Sequence, residues 1–117
     1  MKHKSLISNL LTTAVEGGSN YWYYVSLPDD YETIKALSFA DNVINYLSLG
    51  HRSMPILDCN DHSEVLGHLT YEALKTSLNT LKRYNKEIYD SVMEESFDAD
   101  EADLWFQLVV MGEVVYC

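Results

Sequence analysis

Two apolar periodicities alternate along this chain, one near 3.6 residues and one near two, and a sequence that carries both must pack helices on a sheet. Leu6, Ile7, Leu10, Leu11, Ala14 and Val15 recur at three- and four-residue steps. They predict a helix over residues 5–16 with one apolar stripe, stopped by Gly17-Gly18, where Gly17 takes a left-handed conformation. The run Tyr21-Trp22-Tyr23-Tyr24-Val25 is aromatic and β-branched and ends at the turn residues Pro28-Asp29-Asp30, so it reads as a strand. Ile34, Leu37, Phe39, Val43, Ile44 and Leu47 place one or two helical segments over residues 31–49, with Ser38 capping the second and Gly50 ending it.

Residues 54–59 and 64–69 flank the polar cluster Asn60-Asp61-His62-Ser63 as the two strands of a hairpin. Thr70 then caps a helix whose face is Ala73, Leu74, Leu78 and Leu81, and which continues through Ile88 and Val92 unless Asn85 breaks it. Asp98-Ala99-Asp100-Glu101 reads as an acidic capping box for a last helix with Ala102, Trp105, Leu108 and Val109 inside and Gly112 at its end. Residues 113–117 suggest a short terminal strand. Splitting 117 residues in two would leave neither half enough core to fold, so the expectation is a single α+β domain over residues 1–117. In it about four helices pack on a small antiparallel sheet.

The formal charge of −10 is lopsided, because the stretch after Lys86 holds nine acids and no base. Such a surface repels phosphate backbones, which disfavours direct nucleic-acid binding. No uninterrupted apolar run approaches the ~20 residues of a membrane-spanning helix, and the polar start Met1-Lys2-His3-Lys4 is no secretory signal. Two cysteines, Cys59 and Cys117, are too few for a disulfide framework and point to a reducing cytoplasm.

Metal and catalytic signatures are incomplete. His51, Asp58, Cys59, Asp61, His62 and His68 include the usual zinc-ligand types without the tight spacing of a zinc site. A calcium loop starting at Asp58 would need glycine at Ser63 and glutamate at Leu69. Cys59 and His62 supply a nucleophile and a base but no orienting group, so a non-enzymatic chain without cofactor is expected.

Binding is the more promising chemistry. In Glu16-Gly17-Gly18-Ser19-Asn20-Tyr21-Trp22, paired glycines offer backbone amides to an anion, although glycines at a helix end more often serve only to stop it. In a strand the four aromatics alternate, which puts Trp22 and Tyr24 on one side and Tyr21 and Tyr23 on the other. Either Trp22 and Tyr24 fill the core with the other two at an edge, or the outward pair forms a recognition surface. Gln107, Glu113 and Tyr116 are polar groups embedded in an apolar tail and need partners of their own. The acids Glu94, Glu95, Asp98, Asp100, Glu101 and Asp103 could mimic a phosphate backbone, or simply favour helix N-termini.

Two segments, Thr12-Thr13-Ala14-Val15-Glu16-Gly17-Gly18-Ser19-Asn20-Tyr21-Trp22 and the tail from Ala99 through Gln107-Leu108-Val109-Val110-Met111-Gly112-Glu113-Val114-Val115-Tyr116, stand out together. They resemble the two ends of a family of short, uncharacterised proteins carried by bacteriophages and prophages. The family's tail usually finishes in glycine, where this chain has Cys117. The resemblance implies a counter-defence protein acting in the cytoplasm of a host bacterium on a host defence component, either a nucleotide signal or a protein effector. In the sharpest form, alone or as a homo-oligomer, it sequesters a nucleotide immune signal through Glu16, Gly17, Gly18, Ser19, Asn20, Tyr21, Trp22, Gln107, Glu113 and Tyr116. The alternative is an acidic DNA mimic that inhibits a host nuclease, CRISPR or restriction complex.

Overall fold

The computed structural model of the chain describes residues 1–17, 21–50 and 52–116; Gly18, Ser19, Asn20, His51 and Cys117 lie outside the described residues. The elements run α1 (Lys4–Glu16), β1 (Tyr23–Val25), α2 (Phe39–Ser48), β2 (Ser53–Asp58), β3 (Val65–Thr70), α3 (Tyr71–Tyr84), α4 (Lys86–Met93) and α5 (Ala99–Met111). The three strands form one antiparallel sheet in the order β1-β2-β3, so the α+β expectation holds.

The caps fall where local chemistry puts them. Ser38 accepts from the Asp41 N–H, Thr70 from Ala73, and Asp98 and Glu101 complete a reciprocal capping box at the start of α5. Asn85 is extended and serves both sides of a break, its N–H bonded to the Leu81 carbonyl and its side chain accepting from Ile88. The break allowed at Asn85 is therefore real, and the described residues form five helices where about four were expected.

α5 is the element around which the others gather. Residues 105–110 are all buried, as a helix apolar on every side must be, and α5 packs on α1, α3 and β3. Gly67 makes the last contact possible, because a Cβ there would overlap the Val110 carbonyl oxygen and lie 2.8 Å from Val110 Cγ1. Beside it β2 and β3 shift register, with Ile56 opposite Gly67 but Leu57 opposite Val65. One sheet face buries Tyr23, Met54, Ile56 and Leu69, while the other leaves Tyr24 and Val65 exposed.

Three expectations are corrected. The helical pattern over residues 31–49 yields helix only from Phe39, because the buried Asn42 side chain bonds the Ile34 N–H and the carbonyls of Ile34, Leu37 and Ser38, holding that segment as a loop. Residues 113–116 form no strand, since the Val115 and Tyr116 N–H groups are taken by a side chain of α5. The aromatic run is strand only from Tyr23, and its faces differ from simple alternation. Trp22 and Tyr23 are 2% and 3% exposed, Tyr24 is 49% exposed, and so Tyr23 takes the interior place expected of Tyr24. Trp22 sits in the bend just before β1, where its carbonyl still accepts the Cys59 N–H but its side chain departs from strand alternation, and its indole is drawn inward by a carboxylate of α5.

Among the described residues no helix is long and apolar enough to cross a membrane.

Candidate functional site

The two segments that carry the family resemblance meet in space around Asp103. Its Oδ1 accepts from Trp22 Nε1 at 2.7 Å, and its Oδ2 accepts from Gln107 Nε2 at 3.0 Å and Tyr21 OH at 3.2 Å. Gln107, one helical turn on and 1% exposed, uses its remaining capacity on the tail. Its Nε2 donates to the Tyr116 carbonyl at 3.0 Å, and its Oε1 accepts from the Val115 and Tyr116 N–H groups at 2.8 and 2.9 Å. Every donor and acceptor of that amide is thereby satisfied. The Tyr116 ring then stacks on Trp22 with centroids 5.1 Å apart, and Trp22 meets Tyr23 edge-on at 4.7 Å.

This arrangement is a clasp. A buried carboxylate with three neutral donors joins the segment between α1 and β1 to α5, the helix before the tail, across 81 residues of sequence. Burial pushes the Tyr23 phenol well above its ordinary pKa, with the Asp103 carboxylate adding to the effect, so the group stays protonated at neutral pH. Burial likewise raises Tyr116. The expected site residues Tyr21, Trp22, Gln107 and Tyr116 are thus brought together, but largely on one another. Asp103 stands in sequence only as one of six acids; the signal that could have found it is its four-residue spacing to Gln107 on one face of an apolar helix.

The remaining expected residues lie apart from the clasp. Glu16 is exposed at the end of α1. Gly17 has φ −86°, not the left-handed conformation, and its lack of a Cβ has another use. A Cβ there would overlap the Thr13 carbonyl and lie 3.3 Å from Ala99 Cβ, so Gly17 lets α1 end against the start of α5. Glu113 is exposed beyond the left-handed Gly112. Gly18, Ser19 and Asn20, on which the anion-cradle expectation chiefly rests, fall outside the described residues.

Beside β1 lies a groove of about 350 Å³, lined by Val15, Tyr23, Tyr24, Val25, Phe39, Cys59 and His62. Its outer wall is the Tyr24 ring stacked on His62, centroids 4.3 Å apart, and its helical wall is Val15 and Phe39. Cys59 donates to the Tyr21 carbonyl at 2.9 Å, and the His62 ring stacks on Tyr24. Among the described residues no cluster of three His, Cys, Asp or Glu is placed to hold a metal ion. Asp61 instead holds its own turn, its carboxyl kept below the usual range by hydrogen bonds from the Ser63 hydroxyl and N–H.

Fold and groove together define a small α+β protein with a three-stranded antiparallel sheet, one end strand of which borders an open aromatic cleft. The chain matches no protein-family model, no curated protein and no solved structure.

Proposed function

We propose that this chain is a non-catalytic counter-defence protein of bacteriophage or prophage origin, which binds a host defence component at the groove along β1. The observation that carries the reading is the division of the aromatic residues. Trp22 and Tyr116 are stacked on each other within the clasp, whereas Tyr24, half exposed beside His62 and Phe39, presents its ring outward where aromatic residues anchor partners. A protein effector suits this groove better than a nucleotide signal, because no lysine or arginine lines it to receive phosphate and the chain carries a net charge of −10. The DNA-mimic alternative has less to draw on. Asp98 and Glu101 are spent on the α5 cap, Asp103 on the clasp, and Glu95 accepts from Asn9 at 3.4 Å.

Plating of a phage panel on bacteria that each carry one defence system, with and without this protein, tests the proposal. The expected result is restored plating against at least one system, lost in Tyr24→Ala and kept when Glu94 and Asp100 are neutralised. Calorimetry of the purified protein with cyclic dinucleotides and ADP-ribose-type signals is expected to give no heat. No relief of any system, or relief indifferent to Tyr24→Ala, would contradict the reading.

A further inference from the structure

α4 is thinly covered by the rest of the fold. Of its eight residues, Lys86–Met93, only Val92 is buried. Ile88, Tyr89 and Met93 are half-buried, and Tyr84, just before the break at Asn85, is 50% exposed. A helix this short draws its stability from packing, and this one has apolar surface left to cover.

Its charges run against its own dipole. Lys86 is its first residue and Glu94 its C-cap, with Glu95 next, whereas the macrodipole favours acids at the start and bases at the end. Lys82 and Arg83, in the last turn of α3, add to the basic end, and Lys82 Nζ lies 5.4 Å from the Tyr89 ring centroid, against α4 itself. Glu87 is the acid that a first turn ordinarily takes, and Asp90 is spent on Lys86 at 3.1 Å. Eight residues of helix separate Lys86 from Glu94 by about 12 Å. Arg83 and Glu94 are both exposed, and neither has an ion-pair partner among the described residues. Glu95 holds φ 56°, a left-handed conformation that suits glycine or asparagine, so a carboxylate is kept there at the expense of backbone strain. Its Oε1 accepts from Asn9 at 3.4 Å.

A helix basic at one end and acidic at the other is complementary to a copy of itself turned end for end. We infer that two copies of this chain associate across a twofold axis with their α4 helices antiparallel. Lys82, Arg83 and Lys86 of one copy then face Glu94 and Glu95 of the other, and the same contacts recur on the far side of the axis. The two helix dipoles oppose each other as well, and Tyr89 and Met93, between the charged ends, lose their remaining exposure. A second copy is the occupant because both halves of the complementarity stand on this one helix, at a spacing that a reversed copy matches. The charge of −10 on each chain opposes association, which makes this a weak, concentration-dependent dimer. The surface stands apart from the groove along β1, whose lining includes no residue of α4, and does not rest on a counter-defence role.

Charge exchange tests the inference better than ionic strength does, because salt screens the attraction between ends and the general repulsion alike. In sedimentation equilibrium the wild-type chain is expected to dimerise. Lys82→Glu/Arg83→Glu and Glu94→Lys/Glu95→Lys should each weaken the dimer at least about tenfold, and an equal mixture of the two should regain it, since each reversed end then meets the other. Lys2→Glu/Lys35→Glu, at exposed positions outside α3 and α4, carries the same net charge as the first variant and should keep most of the wild-type affinity. Glu95→Gly removes a charge and relieves the left-handed strain, so it should raise the melting temperature of the dilute chain while weakening the dimer, an opposition that a merely structural glutamate would not produce. Zero-length carbodiimide coupling of mixed isotope-labelled and unlabelled wild-type chains needs no substitution, and should give mixed-label cross-links from Lys82 or Lys86 to Glu94 or Glu95. A wild-type chain that stays monomeric at the highest concentration it tolerates overturns the inference. So does a dimer that persists in both reversed variants, a mixture of them that stays monomeric, or cross-links confined to single chains.

Discussion

Asp103→Ala is expected to destabilise the protein by about 3 kcal/mol, roughly 10 °C or more in melting temperature, measured by urea and thermal unfolding. The substitution deletes the acceptor of the buried Trp22 Nε1 and one acceptor of Gln107 Nε2. Each orphaned buried donor costs about 1–3 kcal/mol, and loss of the carboxylate's own desolvation cost offsets only part of that. Because Gln107 also holds the Val115 and Tyr116 backbone, loosening it should release the tail, and residues beyond Gly112 should become the first site of proteolysis. A variant as stable as wild type would mean that the clasp is incidental to the fold.

Gly67→Ala should have an effect of similar size for a different reason. Here nothing is left unpaired; a methyl group is forced into the Val110 backbone, which cannot rotate aside as the end of a side chain could. Overpacking of this kind costs about 1–3 kcal/mol and more where backbone must move, so a loss of about 3 kcal/mol in urea unfolding is expected. The displacement also separates α5 from β3, and so should weaken the sheet as a unit instead of fraying one end. The two substitutions touch different turns of α5, around Asp103 and Val110, and their effects should add in the double variant.

What could be read from the sequence is what local chemistry decides. Ser38, Thr70, Asn85 and Asp98 cap or break helices through bonds to residues three positions away, and Gly112 closes α5 in a left-handed turn, so each is legible within a few residues of itself. The hairpin of β2 and β3 is legible for the same reason, since alternation and a short polar loop suffice to set it.

The exchange of places between Tyr23 and Tyr24 is not local. It follows from a carboxylate 81 positions away that pulls the indole before β1 inward and so shifts the faces of the residues after it. Gly67 is equally silent in sequence, for a glycine in a strand looks like a weakness until α5 is seen pressed against it. The candidate site was legible as an unusual gathering of aromatic and polar residues. That the clasp consumes Trp22, Gln107 and Tyr116, and leaves Tyr24 to face outward, depends on a contact between the two ends of the chain.

The chain has two tryptophans, and they offer the most direct examination of the clasp. Trp22 Nε1 donates to Asp103, whereas Trp105 Nε1 is buried without a hydrogen-bond partner among the described residues. In a nitrogen–proton correlation spectrum, assigned with Trp105→Phe, the Trp22 indole proton should lie downfield, exchange slowly with water, and move in Asp103→Asn while the Trp105 signal stays in place. A Trp22 indole that exchanges freely and ignores Asp103→Asn would contradict the claim that the two ends of the chain are joined through this carboxylate.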